Sequence, residues 1–556
     1  MFGASCLLVL ALIFLLLQSS RGYRISVAWA SPLLLLLGAW TVAEIIWGWD
    51  SEAIKFLWNG QDGPGLSGFE NVLRGLFLSP PTFLTLVQSF LRFFVLAALG
   101  SFFSSVPKER EIFLRGLELG LGVSTVLTTL MLIFPELSNL SHQDAFWTAL
   151  NRAAGTFSDP NAFGIFVVLV LPVLVWRAQE ASSVRKNYLY ALLSVWLVLG
   201  AYSGSRSFFL GLGLYGLCYF AALGRKQVYR AVAMLLVVVC AFNLVAEYNP
   251  STISVATKGL PQGLARLLDS ISISNVDTTF FSRMAFWRIG WEMWLNNFFF
   301  GIGFEHFRDF VPEYARQLGL GIGTWTDNSN NFYLGLLAET GILGGIALVL
   351  SVAGLRWRSD KNDRFLQAPM LALVILLVFG PHFSFDEVVV LGALLLSLTC
   401  DFRPWRWSPV SYAVAALMVA GIILKSSLVS RGFYHWEQEA GQWQRWTSRT
   451  ANGLAACDER GSARISIRAL NPDIQTHPLT ARAAAAGQVP QTFQLKNSDW
   501  HDVEFICPVL ETVGAGRLPI RYSLEVDRLW VPKKFGQSAD GRMLGLQVRQ
   551  FAPITY

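Results

Sequence analysis

Apolar residues in this chain come in long unbroken runs separated by short polar stretches. The runs fall at 25–47, 83–103, 113–134, 163–176, 188–200, 208–223, 231–245, 332–355, 365–379, 388–399 and 410–428. A helix needs about 20 residues to cross the hydrocarbon core of a bilayer, so this pattern predicts membrane helices. A further run at 2–17 lacks the basic flank and small-residue cleavage site of a signal peptide, and is expected to be a retained first helix. The total is roughly twelve spans. Beyond residue 430 the pattern changes. Apolar and polar residues alternate at 463–469, 503–507, 520–526 and 544–548, between clusters of Pro, Gly and Asn. That period predicts an antiparallel β-sandwich. The expected organisation is therefore an all-α polytopic membrane domain at 1–429 followed by a β-sandwich domain at 430–556.

Composition agrees with the first part of that picture. Hydrophobic residues make up 53% and charged residues 15% of the chain, whereas a soluble domain carries about 25% charged residues. The placement of the charges adds orientation. Arg21 and Arg24, Lys108, Arg110 and Arg115, Arg177, Arg185 and Lys186, Arg225, Lys226 and Arg230, Arg356, Arg358, Lys361 and Arg364, and Arg403 and Arg406 occupy one alternate set of loops. The other set is poor in Lys and Arg and contains Asp50, Glu52, Asp62, Glu70, Glu136 and Asp144. The positive-inside rule puts the basic set in the cytoplasm. The segment 247–330 and the β domain then face outward. The net charge of +6 is explained by these flanks and implies no nucleic-acid partner. Cys457 and Cys507 both fall in the outward β domain, where an oxidising compartment permits a disulfide.

Three outward patches carry candidate chemistry. Gly155–Gly164 leads into a span, with Ser158 or Asp159 placed to cap it and Pro160 in its first turn. Tyr202-Ser203-Gly204-Ser205-Arg206-Ser207 joins two spans, and its cation stands at a helix N-terminus, where it opposes the helix dipole. Free backbone N–H groups and an arginine together suit an anion. The third patch is the 247–330 loop, long enough to call for a function. It contains Arg283–Trp294, whose aromatic spacing suits an amphipathic helix at the membrane interface. The turn Gly301-Ile302-Gly303 and the polar run Asp327–Asn331 follow. Glu339 lies about two turns into the next span, where a carboxylate usually marks a site or an ion pair. Trp436, Trp443, Trp446, Trp500 and Trp530 in the β domain serve either a sandwich core or sugar stacking.

The order Gly155–Gly164, Ser203–Arg206, Arg283–Trp287, Gly301-Ile302-Gly303, Asn331-Phe332-Tyr333-Leu334 and Ala338-Glu339-Thr340-Gly341 resembles the O-antigen ligase and O-antigen polymerase superfamily of membrane glycosyltransferases. The resemblance covers about 121–355. It implies a multi-span helical fold of the C type among glycosyltransferases. It also implies transfer of a glycan from undecaprenyl pyrophosphate to an acceptor sugar outside the inner membrane. Nucleotide sugar, cofactor and metal are not required in that chemistry, and no Asp-x-Asp pair occurs in the chain. By the resemblance, Arg206 and Arg283 hold the pyrophosphate, Asn330, Asn331 and Asp327 position the acceptor hydroxyl, and Glu339 supports the helix end. Many ligases carry His at the position of Asn330. Asparagine orients a hydroxyl but takes no proton near neutral pH, so a base would come from elsewhere, with Asp327, Glu305 and His306 nearest in sequence. The departure favours a polymerase or exopolysaccharide relative over a ligase. Expected partners are a lipid-linked glycan donor, a glycan or lipid A core acceptor, and other polysaccharide-assembly proteins. Three other readings stay open: a metal-dependent transferase using a polyprenyl-phosphate sugar, with Asp50-Ser51-Glu52 as its acids, a lipid-linked glycan transporter, and a non-catalytic assembly protein whose β domain recruits partners.

Overall fold

The computed structural model describes residues 2–48, 83–134, 154–223, 278–320, 328–358, 364–426, 431–507 and 520–550, less 24, 158, 435, 436, 440, 441, 456, 458–460, 486 and 533–543 within those ranges. The run 231–245, the acids Asp50 and Glu52, Ser158, Asp327 and Trp436 lie outside the described residues.

Each apolar run among the described residues folds largely as helix. In chain order these are α1 (Phe2–Ser20), α2 (Ser31–Gly48), α3 (Phe83–Ser105), α4 (Pro107–Ile133), α5 (Pro160–Glu180), α6 (Ser183–Tyr202), α7 (Arg206–Leu223), α8 (Thr278–Asn296), α9 (Phe307–Gln317), α10 (Phe332–Ala353), α11 (Arg364–Leu376), α12 (Asp386–Thr399) and α13 (Pro409–Ser426). By length and apolar content, four helices among the described residues can cross a membrane: Thr85–Ser105, Pro107–Ile133, Pro160–Glu180 and Phe332–Ala353. The remaining expected spans are shorter or less apolar as helices, α11 and α12 running only 13 and 14 residues, or, like 231–245, lie outside the described residues.

The predicted punctuation accounts for several helix ends. Asp159 Oδ1 accepts from the backbone N–H groups of Asn161 (2.6 Å) and Ala162 (3.4 Å), and Pro160 opens α5. At α4 the helix reaches back through the basic flank to Pro107. Glu118 on α4 is buried, and Arg177 and Arg185 each reach it at 2.7 Å. A buried charge is tolerated when it is paired, which explains this carboxylate inside an apolar helix.

The largest core joins α1, α3, α5, α6, α7, α11 and α12, with α5 buried along most of its length against α6, α7, α11 and α12. Two ends can be told apart. At one, β1 (Leu355–Trp357) pairs antiparallel with β2 (Cys400–Phe402), tying the C-termini of α10 and α12 together. Arg358 reaches Asp401 (3.0 Å) and Ser104 (3.0 Å) there, and Arg110 bonds the Ser397 carbonyl. The other end gathers the N-termini of α3, α7, α10 and α12. The candidate site lies at this second end.

The C-terminal region is β. Its nine-stranded antiparallel sheet has the order β8-β7-β10-β5-β11-β6-β9, with β3 and β4 also on β5. The strands are β3 (Arg431–Phe433), β4 (Glu437–Glu439), β5 (Gln442–Ala455), β6 (Ser462–Arg468), β7 (Leu479–Ala485), β8 (Gln491–Leu495), β9 (His501–Ile506), β10 (Ile520–Val526) and β11 (Gln547–Gln550). The long strand β5 serves both halves: Gln444–Trp446 pair with β11 and Thr450–Ala455 pair with β10. The sheet folds over along it, so that Phe505 of β9 stacks on Tyr522 of β10 with centroids 5.6 Å apart. Ile465, Leu479, Leu495, Val503, Leu524 and Val548 fill the space between. Cys457 and Cys507 form a disulfide joining the ends of β5 and β9.

Two of the tryptophans considered for sugar stacking are core residues. Trp446 and Trp530 are buried and pack on each other with centroids 6.0 Å apart. Trp500 lies between the guanidinium groups of Arg468 (4.5 Å) and Arg549 (4.2 Å).

Candidate active site at the broken helix

The segment α8–α9 is built around a break in α10. Gly341, inside that helix, has φ 69° and ψ −168°. In an unbroken helix the Ala338 and Glu339 carbonyls would accept from residues 342 and 343. Instead Ile302 N–H donates to Ala338 O (2.9 Å) and Gly303 N–H to Glu339 O (3.0 Å), while Ile342 N–H donates to Phe298 O (2.7 Å). The Gly301-Ile302-Gly303 turn thus satisfies the backbone groups that the break exposes. Both glycines are needed for the approach: a Cβ on Gly301 would lie 2.3 Å from the Glu339 backbone, and one on Gly341 would lie 2.2 Å from Phe299 O.

The course of α8 differs from the expected interfacial helix. It runs in the same direction as the first half of α10. Trp287 Nε1 donates to Asn330 O (3.4 Å), Gly290 faces Leu334, and Phe298 meets Ile342. Phe286, Ile289 and Met293 are buried with Ile302, Phe307 and Val311 in a small core of their own. Satisfying the broken backbone and burying these side chains outweighs the interfacial preference of the aromatics, although Trp291 stays half exposed.

After the turn the chain comes back past α3. Glu305 adopts φ 63°, a left-handed conformation rare for a residue other than Gly, Asn or Asp. Its carboxylate accepts from Ser89 Oγ at 2.5 Å. Glu339 accepts from Phe307 N–H (3.3 Å), the first residue of α9. His306 is almost fully buried, with Nδ1 2.9 Å from Asp309 and Nε2 3.9 Å from Glu44 of α2. Burial alone would lower its pKa, but the bond to Asp309 and the charge of Glu44 outweigh that and push it up to about 10. That shift favours the imidazolium, which has no lone pair for a proton, and weighs against His306 among the base candidates from the sequence.

A cavity of about 100 Å³ opens beside these residues, lined among others by Ser89, Arg92, Glu305, Asn328, Ser329 and Glu339. Arg92 of α3 is fixed by Asp386 of α12 at 2.7 Å. Neither Arg92 nor Ser89 draws a role from the sequence, because neither stands near the motifs in the chain.

The predicted residues fall as follows. Asn331 caps α10, its Oδ1 accepting from Leu334 N–H at 3.0 Å. Asn330 has φ 51°, and its N–H donates to Asn328 Oδ1 at 2.8 Å. Arg283 is half-buried in the first turns of α8, and its charge bears on His382. Arg206 opens α7 after a packed turn in which Ser205 N–H donates to Ser203 Oγ (3.1 Å) and Ser205 presses on Gly164 of α5. The end of α11 links the two arginine-bearing helices: Leu376 packs against Gly211 of α7, and Phe379 meets Trp287 of α8. The fold thus gathers Asn330, Asn331, Glu339 and the neighbours of Arg283 around the start of α10, with Arg206 on an adjoining helix.

His382 was missed by sequence reading. It is buried, and neither ring nitrogen meets a hydrogen-bond partner among the described residues. Burial, then the nearby Arg283, push its pKa down to about 4. Its signal was slight: one of six histidines, in a Gly-Pro-His turn between two apolar runs.

Residues 189–349 match the family described as O-antigen ligase. The match runs from α6 through the break in α10, taking in Arg206, Arg283, Glu305, Asn330, Asn331 and Glu339. It supports the O-antigen ligase and polymerase superfamily for this chain, as a membrane protein with an enzyme domain of the glycosyl-transferring ligase or polymerase type. No curated protein matches the chain.

Proposed function

We propose that the chain joins glycans carried on undecaprenyl pyrophosphate, at the periplasmic face of the bacterial inner membrane, and that it polymerises repeat units rather than ligating a finished polymer to lipid A core. The observation that carries this reading is the cavity at the bundle end opposite the Arg-rich loops, lined by Glu305, Asn328, Ser329 and Glu339 of the family-matched segment. In this reading Arg206 and Arg283 hold the pyrophosphate, since a guanidinium makes paired contacts to phosphate oxygens and fixed cations stabilise the charge that develops on the leaving group. Neither metal nor cofactor is called for. Asn330 and Asp327 stand on the acceptor side, Asn331 and Glu339 shape the helix end, and the β region lies outside the membrane near the growing glycan. The roughly twelve spans read from the sequence bring both the site and the β region to that face. Asparagine at 330 supports the polymerase side of the reading.

The test is glycan output in a deletion strain complemented with wild type or Arg283→Ala, resolved by polymer length and by attachment to lipid A. Loss of long polymer with single lipid-linked repeats accumulating is the expected result. Intact polymer stranded on undecaprenyl pyrophosphate would make the chain a ligase. Full restoration by Arg283→Ala would refute the pyrophosphate clamp.

A further inference from the structure

From the cavity at the α3–α10 junction we infer that Glu305 is the catalytic base, a carboxylate that takes the proton from the acceptor sugar hydroxyl. The assignment rests on the functional reading above and adds to it the group that Asn330 cannot supply.

Among the described residues, the other ionisable groups near the cavity are either paired or turned away from it. Glu339 accepts the Phe307 N–H. Asp386 is fully buried and holds Arg92. His306 is clamped between Asp309 and Glu44. His382 is buried, and its neighbours Pro381, Phe383 and Ser384 line the cavity where it does not. Glu305 lines the cavity, is only half-buried, and its carboxylate takes a single hydroxyl, from Ser89, among the described residues. A carboxylate has sites for about four hydrogen bonds, so an acceptor hydroxyl can be added without displacing Ser89. About 100 Å³ is room for several water-sized groups, enough for the hydroxyl edge of one sugar. The left-handed backbone of Glu305 brings that carboxylate to the cavity, and the Glu339 contact to the start of α9 holds the segment in place.

The step balances without a further reactant. The acceptor oxygen forms a bond to the anomeric carbon, and the bond from that carbon to the pyrophosphate oxygen breaks. The electron pair leaves with undecaprenyl pyrophosphate, and the acceptor proton passes to the Glu305 carboxylate and then to water.

Two variants of the full-length protein in lipid vesicles separate this role from a structural one. The substrate is the lipid-linked repeat extracted from a strain lacking the gene, and donor-site integrity is read by binding of undecaprenyl pyrophosphate. Glu305→Gln keeps the shape and removes the base. Glu305→Gly suits the positive φ and opens a carboxylate-sized space. Both are expected to lose about 10²- to 10⁴-fold in turnover while still binding undecaprenyl pyrophosphate, and added formate should restore turnover to the Gly variant but not to the Gln variant. Wild-type turnover in Glu305→Gln overturns the assignment. So does loss of undecaprenyl pyrophosphate binding together with turnover, or failure of formate to act on the Gly variant, since either leaves Glu305 a positioning residue. Wild-type protein that leaves the lipid-linked repeats unconsumed refutes the functional reading itself, and the base with it.

Discussion

Asn331 caps α10 through Leu334 N–H, while the sequence placed it with the acceptor-positioning residues. The two roles predict different substitution series. A cap is kept by Asp or Ser and lost with Ala, at about 1 kcal/mol. Asn331→Asp and Asn331→Ser should therefore retain stability and turnover, with Asn331→Ala lower in melting temperature. If Asp and Ser variants are stable yet inactive, the side chain touches substrate. Its neighbour Asn330 sits at φ 51°, a region that Asn, Asp and His tolerate better than most residues. That backbone explains why Asn can stand where many ligases carry His. His306 makes a prediction in pH. Its folded pKa is raised to about 10 against about 6.5 unfolded, so the stabilisation it gives is complete below pH 6.5 and is lost as the pH rises through 10. The melting-temperature gap between wild type and His306→Gln should be widest near pH 6 and should shrink steadily toward pH 10. A gap that is flat across this range would mean that His306 is neutral in the fold.

At the scale of elements, the break in α10 organises the site, and it depends on Gly301 and Gly341. Each has a positive φ and backbone atoms where a Cβ would go. Gly301→Ala or Gly341→Ala should separate the Gly301–Gly303 turn from α10, exposing the Ala338 and Glu339 carbonyls and moving Glu305. The left-handed backbone alone costs an L-residue about 1–2 kcal/mol, and the clash adds to it. The expected outcome is poor yield or a clearly lowered melting temperature with lost polymer output. Wild-type behaviour would show that the turn and the helix do not meet this closely. Both glycines were visible in the sequence, as a GxG turn and as the end of an Ala-Glu-Thr-Gly run. Their contact was not, because 40 residues separate them and no local pattern reports a tertiary backbone bond. The β region shows the same divide. Strands β6, β9 and β10 were legible from period-two alternation. The central strand β5 was not, since Arg445, Arg449, Asn452 and Gly453 interrupt it, and the alanines of β7 carry helix propensity. Those residues are strand because their neighbours on both sides pair with them.

The whole molecule separates two kinds of charge. Arg110, Arg177, Arg185 and Arg358 gather at the end where β1 and β2 meet, and Glu111, Glu118 and Asp401 pair with them there. Arg283, Arg92 and the cavity occupy the other end. The four arginines of the first end belong to the basic loops that the sequence puts on one side. Charge bias sets orientation through insertion and leaves no contact in the fold, so the membrane side of each end is read by labelling. Cysteine labelling decides it. Asn497 lies on an exposed turn of the β region and Arg356 on the exposed face of β1. Each is replaced singly by Cys in a chain retaining only Cys457 and Cys507, which pair. A membrane-impermeant maleimide, applied to cells with a permeabilised outer membrane, should label Asn497→Cys and leave Arg356→Cys untouched until the inner membrane is opened. Labelling in the reverse order would put Glu305 and Arg283 in the cytoplasm, facing away from a periplasmic lipid-linked donor. The site would then need a different substrate, however well its residues fit this one.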